Sequence, residues 1–137
     1  MVDVLTPRQR SFNMSRITGK NTSPEVTVRK LLRSLGYHYR LHARGLPGRP
    51  DIVLRKHRKV IFVHGCFWHM HRCRFGKVVP KTNEAFWRKK RLGNVERDKR
   101  TRGSLRKEWS VLTVWECETR DAARLSGKLL RFLQHHA

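Results

Sequence analysis

Three cysteines and a histidine stand where they could share a metal ion. Cys66, His71 and Cys73 fall within one short stretch, directly after an apolar run that reads as a strand. Cys117, the remaining cysteine, directly follows the last such run. If those two strands are neighbours in a sheet, their ends bring all four side chains together. Two or three thiolates with one imidazole make the ligand set of a closed, tetrahedral structural zinc site. The plainer alternative is that each thiol is a small buried hydrophobe. Against it, every cysteine lies at a strand end or in one loop beside a histidine. A zinc cross-link would also hold an irregular loop, residues 64–79, that has few other means of keeping one conformation.

Carboxylates are scarce, ten against thirty-two Lys and Arg, so their positions carry information. Asp51 follows Arg49-Pro50 at a strand start, and a hairpin would bring it beside the end of the next strand. A hard cation such as magnesium takes oxygen ligands, here one carboxylate plus what the adjacent strand offers, with water completing the shell. Phosphodiester hydrolysis uses such a metal to stabilise developing charge and to lower the pKa of the attacking water. It also needs a general base or acid, and His64 and His69 lie in the right segment. Glu25 could orient the water. Each has a plainer reading: Asp51 as a turn residue, Glu25 as a complement to the helix dipole.

The elements that must position these groups follow from periodicity. Ser23 can cap a helix, Pro24 suits its first position, and Glu25 sits in the first turn. Val28, Leu31, Leu32 and Leu35 then repeat at helical spacing, and Gly36 ends the run. Residues 37–41 read as a strand. Asp51 opens a second, Ile52-Val53-Leu54, and a basic turn leads into a third, Val60-Ile61-Phe62-Val63, so the last two form a hairpin. A basic helical stretch covers residues 84–107, with Gly93 or Gly103 as the place where it would break. Residues 109–115 are β-like, and residues 122–133 form a terminal helix. Strand, long helix, strand is the pattern of a parallel crossover. The sum is an α/β domain with a mixed central sheet flanked by helices.

At 137 residues the chain is one domain, residues 21–137, preceded by a basic, weakly periodic arm at residues 1–20. The formal charge of +22 calls for a polyanionic partner, and nucleic acid is favoured. A membrane surface is disfavoured, because no basic segment carries a clean apolar face. No stretch approaches the ~20 apolar residues of a membrane span, and residues 1–14 contain no apolar signal core. The expected location is the cytosol, where these cysteines would not be disulfides.

The blocks SFNMSRITGKNTSPE, LPGRPDIVL, VIFVHGCFWHMHRC, NVERDKR and VLTVWECE, in that order, resemble the very short patch repair (Vsr) DNA mismatch endonuclease family. The resemblance covers nearly the whole chain. It implies a restriction-endonuclease-like core, related to the PD-(D/E)xK nucleases. It implies recognition of a T:G mismatch, left when 5-methylcytosine deaminates, and a magnesium-dependent nick 5′ to the mispaired T. By the same resemblance Asp51 binds magnesium with the backbone carbonyl of Val63. His69 acts as general base, Glu25 helps position the water, and His64 contacts the scissile phosphate. Cys66, His71, Cys73 and Cys117 match structural zinc ligands. Phe67-Trp68 would enter the base stack beside the mismatch, where unstacking costs least. Met14 would enter from the opposite groove, helped by Asn13 and Arg16.

The chain departs from the family in lacking the glycine usual before the tryptophan of the last strand (Lys107-Glu108-Trp109). Basic residues of the long helix, Arg88, Lys89, Lys90, Arg91, Arg97, Lys99 and Arg100, are expected to contact phosphates. A T:G mismatch is asymmetric, so a monomer acting on double-stranded DNA is expected. A functional link to a cytosine-5 DNA methyltransferase and to mismatch-repair proteins would follow. Two alternatives stand: a sequence-specific nicking or restriction endonuclease without a mismatch requirement, and a non-catalytic zinc-stabilised DNA-binding protein.

Overall fold

The computed structural model describes residues 22–135. The N-terminal arm with Asn13, Met14 and Arg16 lies outside the described residues. The first helix, α1 (Ser23–Ser34), is capped by Thr22, whose hydroxyl accepts from the Glu25 N–H at 3.4 Å. The cap is therefore one residue earlier than Ser23, because Thr22 is the last residue in extended conformation. At the other end Gly36 takes φ +87°. The Tyr37 N–H then reaches back to the Leu32 carbonyl at 3.0 Å, a closure that a side chain at Gly36 would strain.

Among the described residues four strands form one mixed sheet in chain order: β1 (Arg40–Leu41), β2 (Ile52–Leu54), β3 (Lys59–His64) and β4 (Ser110–Trp115). The expected first strand shrinks to two residues, which pair with Val53 and Ile52 of the short β2. The hairpin from β2 to β3 is antiparallel, with Ile52 opposite Ile61 and Val53 opposite Val60. A 3-10 turn (Arg55–His57) and Arg58, at φ +55°, reverse the chain between them. β3 and β4 run parallel over six residue pairs, from Lys59 opposite Ser110 to His64 opposite Trp115. That pairing brings the segment after His64 and the segment after Trp115 to the same edge of the sheet.

The connection is α2 (Glu84–Leu105), which runs unbroken through Gly93 and Gly103. Each glycine costs a helix about 1 kcal/mol relative to alanine, too little to break one of this length. The glycine-free turn into β4 closes instead on the Leu105 carbonyl, which accepts from both Glu108 and Trp109 N–H groups at 3.0 and 2.8 Å. A second 3-10 turn (Glu116–Arg120) leads to α3 (Ala122–Gln134), capped by Asp121.

Alternation along β2 and β3 serves two cores. Ile52, Leu54 and Ile61 join Val114 on one face, under Val28 and Leu32 of α1 and Leu125, Leu129 and Leu133 of α3. Val53, Val60 and Phe62 meet Leu105 of α2 on the other. Strands buried on both faces read as continuous apolar runs, which is how β2 and β3 appear. Lys59 is a buried exception. Its ammonium binds the carbonyls of Phe132 and His135 at 2.6 Å and Leu133 at 3.1 Å, satisfying the open C-terminal end of α3. No helix among the described residues is long and apolar enough to cross a membrane.

Candidate functional site

The parallel pairing does what the cysteine spacing anticipated. One ligand atom from each of Cys66, His71, Cys73 and Cys117 lies within 4.8 Å of every other. Cys117 sits in the 3-10 turn after β4; its N–H donates to Cys66 Sγ at 3.3 Å, and its own sulfur lies 3.5 Å from His71 Nδ1. Trp115 stacks on the His71 ring at 4.2 Å and fixes its plane. Burial, with the neighbouring thiols, pushes Cys66 up to about 12. Burial opposes the Cys73 thiolate too, but the Gly76 backbone and the His71 side chain bring that thiol down to about 6. Three thiols this close resist joint ionisation unless a cation lies among them.

A second cluster joins Glu25, His42 and Asp51. Glu25 is fully buried on the first turn of α1, where it receives Arg29 at 2.8 Å and faces His42 Nε2 at 2.9 Å. Burial opposes its charge, yet hydrogen bonds from His42, Arg29 and Asp51 hold it below the usual carboxylate range. Asp51 accepts from the Val63 N–H at 2.7 Å, so the hairpin sets this carboxyl against the main chain of β3. Burial and the charge on Glu25 outweigh that hydrogen bond and push Asp51 up to about 7. The pair thus holds a proton at the place where a cation would exchange for it.

The third cluster was only half anticipated. His64 and His69 stack face to face, with centroids 3.8 Å apart and planes 4° apart. His69 Nδ1 lies 2.5 Å from Asp98 Oδ2, and His64 Nδ1 lies 3.9 Å from the same oxygen. His64 is buried, its Nδ1 has no hydrogen-bond partner among the described residues, and burial together with His69 drives its pKa down to about 3. It is a neutral imidazole at neutral pH. Trp115 meets the His64 ring edge-on at 5.5 Å, so one indole separates the stacked histidines from His71. Asp51, Val63, His64 and His69 line one cavity of about 240 Å³ together with Arg49, Arg97, Asp98 and Thr101. Glu25 lies behind Asp51 and is not among the lining residues.

Phe67 and Trp68 sit between these clusters, half-buried and in edge contact with each other at 5.3 Å. Trp87, in the first turn of α2, packs edge-on against both, at 6.2 and 5.4 Å. Phe86 beside it is exposed. Arg91 departs from the phosphate-contacting role expected of it. It is only 4% exposed and donates to the carbonyls of Phe67 at 2.7 Å, Val78 at 3.0 Å and Gly76. One guanidinium thus meets three carbonyls of the irregular loop, of which that of Phe67 also accepts from the Met70 N–H at 3.3 Å. Arg88, Lys89, Lys90, Arg97, Lys99 and Arg100 are exposed as expected.

The sequence reading missed Asp98, Arg91, Trp115 and His42 as parts of this site. Asp98 had a signal, standing in a charged helix with few acids; the others gave none before the fold was known. A buried carboxylate pair, an imidazole held by a carboxylate and a basic cavity wall define a hydrolase directed at an anionic substrate.

Comparison with known proteins gives the family. A family model described as DNA mismatch endonuclease Vsr matches residues 2–75. The type II nicking enzyme V.XorIIP of Xanthomonas oryzae pv. oryzae is 46% identical, over 97% of this chain and 98% of the relative. V.NmeAIP, a type II nicking enzyme of Neisseria meningitidis, is 43% identical over 98% and 96%. The DNA mismatch endonuclease Vsr of Escherichia coli K12 is 44% identical over 95% and 83%. The chain belongs to the Vsr DNA mismatch endonuclease family, and it is a DNA endonuclease of that family.

Proposed function

We propose that this protein nicks one strand of double-stranded DNA 5′ to the T of a T:G mismatch, as a magnesium-dependent, zinc-stabilised monomer on a restriction-endonuclease-like core. The observation that carries the reading is the run Phe67-Trp68-His69: two rings suited to entering a weak base step directly precede an imidazole that borders the Asp51 cavity. Insertion beside the mismatch would deliver the neighbouring phosphate to that cavity.

Both metals fit the residues present. Three thiols and one imidazole in mutual reach, on a loop without regular secondary structure, suit a structural zinc ion. Asp51 would hold magnesium, with the Val63 carbonyl as second ligand. The Val63 main chain stands beside the carboxyl, and the proton shared with Glu25 marks a site that favours positive charge. A magnesium ion held there would stabilise the charge that develops on the phosphate and lower the pKa of water. The protein's own groups do the rest. His69, donating Nδ1–H to Asp98, keeps Nε2 free to take a proton from the attacking water. His64 meets the scissile phosphate as a neutral hydrogen-bond donor. Glu25 acts from behind Asp51, fixing its orientation and through it the water. The arm at residues 1–20, with Met14 entering the opposite groove beside Asn13 and Arg16, completes the grip made by the domain at residues 21–137. A cytosine-5 DNA methyltransferase would supply the 5-methylcytosine whose deamination leaves the lesion, and mismatch-repair proteins would share it.

The test compares the protein and its Asp51→Ala variant on T:G-mismatched and fully paired duplexes, with magnesium or EDTA. Magnesium-dependent nicking of the T:G duplex alone, lost in the variant, is the expected result. A second reading is favoured by the names of two relatives, which are nicking enzymes: equal cutting of paired DNA would establish a sequence-specific nicking endonuclease instead. Metal analysis of the purified protein should find about one zinc per chain; a protein without zinc ends that assignment.

A further inference from the structure

One face of α2 is written against one tripeptide of the loop. Residues 91, 94 and 98 follow at spacings of three and four, so they line a single stripe of the helix. Arg91 donates to the Phe67 carbonyl at 2.7 Å, Asn94 Nδ2 donates to the Trp68 carbonyl at 2.9 Å, and Asp98 meets His69 Nδ1 at 2.5 Å. Three consecutive loop residues are thus held by three successive positions of one rigid element. The Arg91 guanidinium also lies over the Phe67 ring at 4.2 Å, and the Lys90 ammonium lies 5.6 Å from the Trp68 ring. Trp87 continues the stripe one turn earlier and packs on both rings.

We propose that Arg91 and Asn94 are positioning residues that lock Phe67 and Trp68 to His69 through α2, so that ring insertion and water activation share one register. The inference rests on the mismatch-wedge reading above. Two bonds to main-chain carbonyls fix where the rings start, and the third fixes where the base points. Because α2 does not stretch, rings displaced from the duplex carry the imidazole away from the phosphate. A paired step that refuses the rings would in this way be spared the cut. A purely structural role for the same side chains predicts something else: loss of the loop, its metal and the fold together.

The experiment uses full-length protein with Asn94→Ala, which removes the whole amide, Asn94→Asp, which removes the donor with little change of volume, and Arg91→Lys, which keeps the charge but not the three-carbonyl fork. The substrate carries 2-aminopurine next to the T:G pair, so that unstacking raises its emission. A His69→Ala control should keep the emission change and lose nicking. For the Asn94 variants we expect single-turnover nicking at saturating protein to fall about ten- to a hundredfold. The emission change should fall with it, while duplex affinity, zinc content and melting temperature stay near wild type. Unchanged emission and rate, or a change in one without the other, overturns the coupling. So does loss of zinc or of stability in the Asn94 variants, which makes the contact merely structural. A wild-type protein that gives no emission change at T:G overturns the mismatch reading and the proposal together, whereas a variant that matches a responsive wild type overturns the proposal alone.

Discussion

The two longer helices among the described residues are anchored by opposite means. α3 presents Leu125, Leu129 and Leu133 at intervals of four, and all three are buried against the sheet. α2 buries one leucine, Leu105, at its far end, and along the rest of its length it is held by a guanidinium, an amide and a carboxylate. Apolar contact is strong but indifferent to direction. A hydrogen bond is weaker in net terms and sensitive to angle and distance. The first kind of docking keeps a helix on the protein; the second aims what it touches. It is consistent that the helix beside the cavity is the one held by polar groups.

Breaking each anchor should give opposite phenotypes. Removing the carboxylate from the polar-held helix, Asp98→Ala, leaves His69 without the group that orients it. We expect nicking to drop about a hundred- to ten-thousandfold with the fold intact, since general-base catalysis contributes on that scale. Single-turnover rates set beside thermal melting check it, and a variant that nicks normally removes Asp98 from the site. Removing apolar volume from the other helix, Leu129→Ala, should do the reverse. It should cost about 2–5 kcal/mol of stability, read by urea denaturation, and leave the rate of the folded fraction unchanged.

The polar-held region should also answer to pH where the apolar one does not. Asp51 is raised from its ordinary 3.8 to about 7 by burial and by the charge on Glu25. A raised acid favours the protonated fold, so without metal its contribution to stability is fully present below 3.8 and lost as pH rises through about 7. On the proposed function, magnesium held by Asp51 would have to displace that proton. The concentration giving half-maximal nicking should therefore rise about tenfold per unit as pH falls below about 7, and level off above. A magnesium titration at several pH values that stays flat across this window refutes it. The smallest effect concerns the exposed side of α2. Gly103 has no atom within 4 Å of an added Cβ, so Gly103→Ala should add about 0.5–1 kcal/mol to stability and leave nicking unaltered.

The same contrast explains what could be read from the chain beforehand. Val28 and Leu32 on α1, the apolar runs of β2 and β3, and the stripe of α3 are periodic, so element type and buried face follow from spacing alone. The cysteine cluster followed as soon as two strands were taken as neighbours, because all its ligands lie just past strand ends. Arg91 could not be found this way. In a helix dense with Lys and Arg its side chain looks like its neighbours, and only the position of three loop carbonyls distinguishes it. Trp115 reads as one more residue of an apolar strand, and its stacking on His71 depends on a register between distant segments. Thr22 took the cap from Ser23 for a smaller reason: both are competent, and the extended backbone at residue 22 decides.

Neighbouring residues between 64 and 73 answer to different masters: histidines at 64 and 69 face the cavity, Cys66, His71 and Cys73 face Cys117, and two rings intervene. Deleting or inserting one residue there would exchange the assignments of every position downstream, and no single compensating substitution could restore them. Such a segment can drift in side chain only where a role permits and can never drift in length.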